Sequence, residues 1–202
     1  YNKITMKDTE SNPFLKGDSV VISSDDENNQ KILKNVLGTR FVSVVGSNYI
    51  IVDAAPKYDA IGALGFTITI DKKMPDLDIV VESGNRLWGC KYGSTENGFL
   101  NEIYASKLGD FRNWTVYRGI DTDSYYANVG SDGYFTGAVT HLGAALFFKE
   151  HCLHKVFGGQ PSEFTVQDTA CRGVQSGCEM SLAIVNEVLY YKARNAVCAY
   201  DG

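Results

Sequence analysis

An internal repeat constrains this chain more than any other feature. Residues 138–159 and 181–202, 43 positions apart, agree in detail. Val139 stands against Leu182, Ala145 against Val188, Leu146 against Leu189, Phe147-Phe148-Lys149 against Tyr190-Tyr191-Lys192, Phe157 against Tyr200, and Gly159 against Gly202. A weaker copy precedes them. Val80 to Gly89, containing Asn85-Arg86-Leu87-Trp88-Gly89, matches the same apolar-then-aromatic run 59 residues before Leu146. A longer excursion, Tyr92 to Phe99, follows it before Asn101-Glu102-Ile103-Tyr104-Ala105-Ser106 closes a hairpin. A period of about 40–50 residues built from short aromatic strands is the pattern of propeller blades. Spacing also permits a pair of amphipathic helices, because Leu182, Val185, Val188 and Leu189, like Val139, Leu142, Ala145 and Leu146, sit at helical intervals. Consecutive aromatics, β-branched residues and turn signals every ten or so positions favour strands.

The first seventy residues read as β-rich without the repeat. Ile4–Met6, Ser19–Ser23, Arg40–Val45, Tyr49–Asp53 and Phe66–Asp71 are short runs of Val, Ile, Phe, Thr and Tyr, with turn signals at Lys16-Gly17-Asp18 and Gly46-Ser47-Asn48. The second turn predicts a hairpin of Phe41–Val45 with Tyr49–Asp53. The acidic stretch Ser24–Asn29 reads as a solvated loop, and only Gln30–Leu37 as helical. The expected class is therefore all-β: a small barrel or sandwich-like domain over 1–72, then propeller-like blades over 73–202, joined near Lys72-Lys73-Met74-Pro75.

Composition removes several functions. With 19 Lys plus Arg against 24 Asp plus Glu, the chain carries a formal charge of −5, which does not suit a nucleic-acid groove. Its longest uncharged stretches, Phe41–Val52 and Gly133–Phe148, are 12 and 16 residues, against about 20 for a membrane span. The five cysteines are odd in number and widely spaced, so reduced thiols are expected.

Each candidate chemical motif has a blander reading. Thr169-Ala170-Cys171-Arg172-Gly173 is one residue from the Q-A-C-R-G thiol-nucleophile signature, but His154, His151 and His141 lie only 17, 20 and 30 residues upstream, so a strand-end cysteine is expected. His151-Cys152-Leu153-His154 with Cys171 and Cys178 offers zinc-type ligands without paired C-x2-4-C knuckles. Asp121-Thr122-Asp123-Ser124 and Ser131-Asp132-Gly133 supply oxygens for calcium but lack an EF-hand loop, so Asx-turns are expected. A sialidase-like hydrolase needs three arginines or two carboxylates in one cleft; Arg40, Arg86, Arg112, Arg118, Arg172 and Arg194 are scattered. No phosphate-loop, nucleophile-elbow or dinucleotide motif is present. No catalytic, cofactor or metal residue is assigned, and ligand-binding residues stay unassigned. A carbohydrate-binding module is the alternative, with Trp88 and Trp114 as its stacking platforms.

The segment Ser106-Lys107-Leu108-Gly109-Asp110-Phe111-Arg112-Asn113-Trp114 resembles the Asp-box turns of sialidase-type propellers, in which the Asp caps backbone N–H groups and the aromatic ring anchors the loop. A broader resemblance runs through Asn85–Cys90, Asn101–Asp110, Asn113-Trp114, Asp121–Tyr125, Val129–Gly133, Thr136–Ala138, Leu146–Glu150, Thr169–Val174 and Ser181–Gly202. Over residues 74–202 the chain resembles β-propeller-type minor structural proteins of tailed bacteriophages and prophages, and the first seventy residues resemble the small β domain preceding the propeller. This resemblance implies a non-enzymatic virion component, tail-associated, assembled in a bacterial cytoplasm and working in assembly or host-surface recognition. Its implied partners are other virion proteins and a host-surface glycan or protein, with homo-oligomerisation open. Four blades of about 40 residues need about 160, whereas residues 76–202 number 127. An incomplete piece of a longer propeller is therefore expected.

Overall fold

The structure, a computed structural model, describes residues 3–6, 12–53, 68–95 and 98–202. Contacts divide the chain into two compact units, residues 1–74 with 115–118, and residues 75–114 with 119–202. The described residues form four antiparallel sheets of five, four, four and three strands, with one short helix. Among them no sheet closes into a barrel and no propeller ring is formed.

In the first unit, β1 (Lys3–Thr5), β2 (Ser19–Ser23), β3 (Gly38–Val45), β4 (Tyr49–Val52) and β5 (Thr69–Lys72) make one open sheet in the order β1-β4-β3-β2-β5. The expected hairpin is present as β3 with β4, pairing Val45 with Ile50, with a bulge between Val42 and Val44. Phe14, Val20, Ile22, Val42, Ile50 and Val52 form its core. Phe66, the start of the expected last strand, lies outside the described residues. The helix departs from the sequence reading. It spans Glu27–Ile32, beginning inside the acidic stretch, because the Asp26 side chain accepts the N–H groups of Asn28 and Asn29 as an N-cap.

The second unit carries the repeat, all of it in strands. One sheet joins β6 (Ile79–Ser83), β7 (Arg86–Thr95), β8 (Gly98–Ala105) and β9 (Tyr125–Asn128); the next joins β10 (Phe135–His141), β11 (Ala144–Lys149), β12 (Cys152–Phe157) and β13 (Thr165–Ala170); the third joins β14 (Ala183–Val185), β15 (Val188–Ala193) and β16 (Ala196–Tyr200). Each is a simple meander in chain order. Each opens with the same two-residue turn, Gly84-Asn85, Leu142-Gly143 and Asn186-Glu187, with φ positive at both positions, the geometry that matches strand twist. These turns lie side by side. The Ser83 hydroxyl donates to the Gly143 carbonyl (3.1 Å), and the His141 ring meets the Glu187 carbonyl.

The turns revise the repeat length. Leu142-Gly143 corresponds to Asn186-Glu187, and Ala144 to Val188, a spacing of 44 rather than 43. Gly84-Asn85 likewise precedes Leu142-Gly143 by 58 rather than 59. Because strand side chains alternate, one residue of register exchanges the two faces.

The β10–β13 sheet is covered on both sides. On one face Ala145, Phe147 and Val156 pack with Trp88, Cys90, Ile103 and Ala105 of the preceding sheet. On the other, Leu146, Phe148 and Leu153 pack with Leu189, Tyr191 and Ala193 of the following one. This explains the uninterrupted apolar run in β11, where every residue from Ala145 to Lys149 is buried.

Candidate functional site

Neither tryptophan is available to a ligand. Trp88 is 4% exposed, with its indole N–H donating to the Ser83 carbonyl (3.1 Å), and Trp114 is 1% exposed. The stacking role expected of them is withdrawn. Trp114 instead anchors a turn in which Asp110 accepts the Arg112 N–H (3.3 Å) and the Asn113 amide (2.8 Å). That turn lies between the third and fourth strands of its sheet.

The aromatic surface that remains open borders a cavity of about 550 Å³. Asp78 and Ile79 lead into it at the start of β6, Lys91 to Ser94 come from β7, Tyr134 to Thr136 open β10, and Ser176, Gly177 and Glu179 come from the loop after β13. Tyr92 meets Phe99 and Tyr134 edge to face at centroid distances of 5.1 and 4.9 Å. Tyr134 is 69% exposed and Phe99 61%. The Tyr92 hydroxyl donates to the Asp132 carboxylate, which holds that carboxyl below its ordinary range and the phenol above its own. Asp78 accepts from the Lys91 ammonium (2.8 Å) and the Tyr92 N–H (3.0 Å), and with Asp76 it raises the ammonium above its usual value. The groove thus presents fixed aromatic rings beside oriented polar groups. Its lining carries two carboxylates, Asp78 and Glu179, of which Asp78 is committed to Lys91.

Beneath this surface lies a polar chain between sheets. His154 and Asp168 are directly opposed on β12 and β13, and the His154 Nδ1 meets the Asp168 carboxylate. With Nδ1 carrying the proton, Nε2 accepts from the Ser131 hydroxyl at 2.7 Å; the Cys152 thiol lies 3.6 Å away. The connectivity is that of a nucleophilic triad, with its exposure inverted. The imidazole is fully buried while the Asp168 side chain is 49% exposed. A general base must hand its proton to a leaving group, and an imidazole sealed from solvent has no room for one. Burial also pushes His154 below its ordinary pKa against the opposing pull of Asp168. Buried Lys149 adds two donors, to the Asn101 side chain (2.7 Å) and the Ser131 carbonyl (2.8 Å). Together these groups clamp the loop between β9 and β10 that carries Asp132 and Tyr134.

The other sequence candidates resolve as structure. Burial raises the Cys171 thiol, opposite to what a nucleophile needs, and Gly173 follows it because a Cβ there would stand 1.8 Å from the Lys149 carbonyl oxygen. All five cysteines are free thiols. Among the described residues His151, Cys152, His154, Cys171 and Cys178 do not converge into a metal-ligand group. The carbonyls around Asp121–Asp123 do surround a cation, the guanidinium of Arg86, which donates to the carbonyls of Ser106 (2.8 Å), Asp121 (2.7 Å) and Asp123. The Asp123 carboxylate accepts the N–H groups of Gly119 (2.7 Å) and Ile120 (3.2 Å), which precede it in the chain, so it ties back the preceding loop rather than forming the expected Asx-turn. Arg40 is spent on the carbonyls of Thr39 and Asn35, and Arg118 faces Asp18. Arg172 and Arg194 share one cavity, whose lining holds no third arginine.

The described residues define an all-β protein. No family model matches the chain, and no curated protein or solved structure does so either. Among the described residues no helix is long and apolar enough to cross a membrane.

Proposed function

We propose that this protein is a non-enzymatic, tail-associated component of a phage or prophage virion, working in host-surface recognition, with its three meander sheets as successive blades of a propeller-like array. Two things support the reading: the run of sequence motifs resembling phage minor structural proteins, and three sheets that repeat the same tight turn while packing face to face. The observation that carries recognition is the groove of about 550 Å³ bordered by Tyr92 and Tyr134. Exposed, rigid aromatic rings stack on the apolar faces of sugars, and adjacent carboxylate, ammonium and hydroxyl groups orient ring hydroxyls. A host-envelope glycan is therefore the preferred ligand.

The test is binding of the full chain to polysaccharides prepared from bacterial envelopes, with mass spectrometry of purified particles locating the chain in the virion. Tyr134→Ala should weaken glycan binding about 5- to 30-fold, since loss of one stacking ring removes about 1–2 kcal/mol. The fold should be unchanged. Absence of the chain from particles, or no binding to any envelope polysaccharide, overturns the reading.

A further inference from the structure

We infer that a second cavity, of about 220 Å³, is an anion-binding notch that takes a carboxylate or phosphate substituent on the same glycan. The glycan part of this inference rests on the proposed function. The notch is lined by Glu150 and His151 of the β11–β12 turn, Arg172 and Gln175 of the loop after β13, and Arg194 and Asn195 of the β15–β16 turn. At the repeat spacing of 44, Glu150 and His151 correspond to Arg194 and Asn195, so equivalent turns of neighbouring sheets form its two walls. Two guanidinium groups 22 positions apart in sequence thereby share one small cavity.

Three facts make this more than a pair of surface charges. First, neither Arg172 nor Arg194 forms an ion pair with any described carboxylate, although the chain as a whole carries −5. Second, the backbone carrying Arg172 is pinned. Its carbonyl accepts the Tyr191 hydroxyl (2.8 Å), the Cys171 N–H donates to the His151 carbonyl (3.1 Å), and the Gly173 N–H donates to the Glu150 carbonyl (3.0 Å). Third, the one carboxylate in the wall, Glu150, already accepts the Ser176 N–H (3.1 Å), while the Lys192 ammonium lies against Gln175 (3.0 Å) and adds a further positive charge. Planar guanidinium forks on a fixed frame suit carboxylate and phosphate oxygens.

The notch also adjoins the aromatic groove through covalent structure. Gln175 lines one and Ser176 the other, and consecutive Cα atoms are about 3.8 Å apart. The two cavities therefore share the loop after β13 as a common wall. The ligand class is therefore an acidic glycan.

The experiment titrates the full chain, followed by backbone amide NMR at low salt, with inorganic phosphate, with an oligogalacturonate as the carboxylate probe, and with its carboxyl-reduced neutral counterpart. Shifts should concentrate at 172–176 and 194–195. Arg172→Gln and Arg194→Gln should each weaken binding of at least one anionic probe about tenfold, as expected for loss of a charge-assisted hydrogen bond. A control pair in the first unit, Lys31→Gln with Lys34→Gln, should leave binding unchanged. The relative response to the phosphate and carboxylate probes identifies the substituent. Anion shifts spread over all exposed basic residues, or binding indifferent to both arginine variants, overturn the notch. Anion binding at the notch without any saccharide response at Tyr134 overturns the glycan reading and leaves the notch standing.

Discussion

Strands β11 and β15 carry the most similar sequences in the molecule, Phe147-Phe148-Lys149 and Tyr190-Tyr191-Lys192, yet these triplets do opposite things. In β11 both aromatics are fully buried, one against each neighbouring sheet. In β15 Tyr191 is 5% exposed and Tyr190 40%. The lysines diverge further. Lys149 is 1% exposed, bonded inside the sheet interface, whereas Lys192 reaches the rim, donating to Gln175 and the Arg194 carbonyl. By position in the sheet the partner of Lys149 is Ala193. Sequence similarity aligned these strands one residue away from their structural register, and in a pleated strand that single step moves every side chain to the other face.

Mutations at these positions test the comparison. Phe147→Ala and Phe148→Ala should each cost about 3–5 kcal/mol in denaturant unfolding. In β15 only Tyr191→Ala should approach that cost, and Tyr190→Ala should stay below about 1 kcal/mol; equal costs at Tyr190 and Tyr191 would break the assignment of faces. Gly173→Ala should cost about 3 kcal/mol, because its Cβ meets backbone rather than a side chain that can turn away. If it is neutral, the close approach of this loop to Lys149 is wrong.

Lys149→Ala should destabilise by about 2–3 kcal/mol, leaving the Asn101 side chain and the Ser131 carbonyl short of a donor. Lys192→Ala should cost less than about 1 kcal/mol. The pH dependence separates the sheets again. The folded pKa of His154 is lowered from 6.5, so the unfolded chain binds its proton first. The stability it confers is complete above pH 6.5 and declines as pH falls below that value toward the folded pKa. His154→Gln should flatten this decline by at most one proton's worth of slope, measured by unfolding at pH 7.5 and 5.5. An unchanged slope would mean that the imidazole is not sealed between its sheets. The smallest stability effect is expected at Tyr134, where replacement by Ala should change unfolding by less than about 0.5 kcal/mol while removing the groove's most exposed ring.

Much of the fold was legible in local pattern. The β3–β4 hairpin follows from two apolar runs around Gly46-Ser47-Asn48, and Ser19–Ser23 is a strand with the expected bounds. The helix was placed three residues late because Asp26 was read as one charge in an acidic run rather than as a cap. The binding surface was scarcely legible. Tyr134 looked like any of twelve tyrosines, and the tryptophans drew attention because size is visible in sequence and exposure is not. Arg172 and Arg194 looked scattered for a similar reason, their meeting being a property of how sheets stack. A bulky residue directly after Asp-Gly, as Tyr134 is in Ser131-Asp132-Gly133-Tyr134, is a local hint of an aromatic on a loop.

By itself, then, the sequence determined the strands, the turn chemistry and the existence of a repeat, because alternation and positive-φ positions are written within a few residues of each other. Tertiary structure alone decided which face of each strand is buried, that β11 is buried on both faces, that Arg86 fills the carbonyl cage, and which two arginines share a cavity. Each of those depends on register and on what a neighbouring sheet places opposite, and a shift of one residue, invisible in a similarity of Phe-Phe-Lys to Tyr-Tyr-Lys, reverses the outcome.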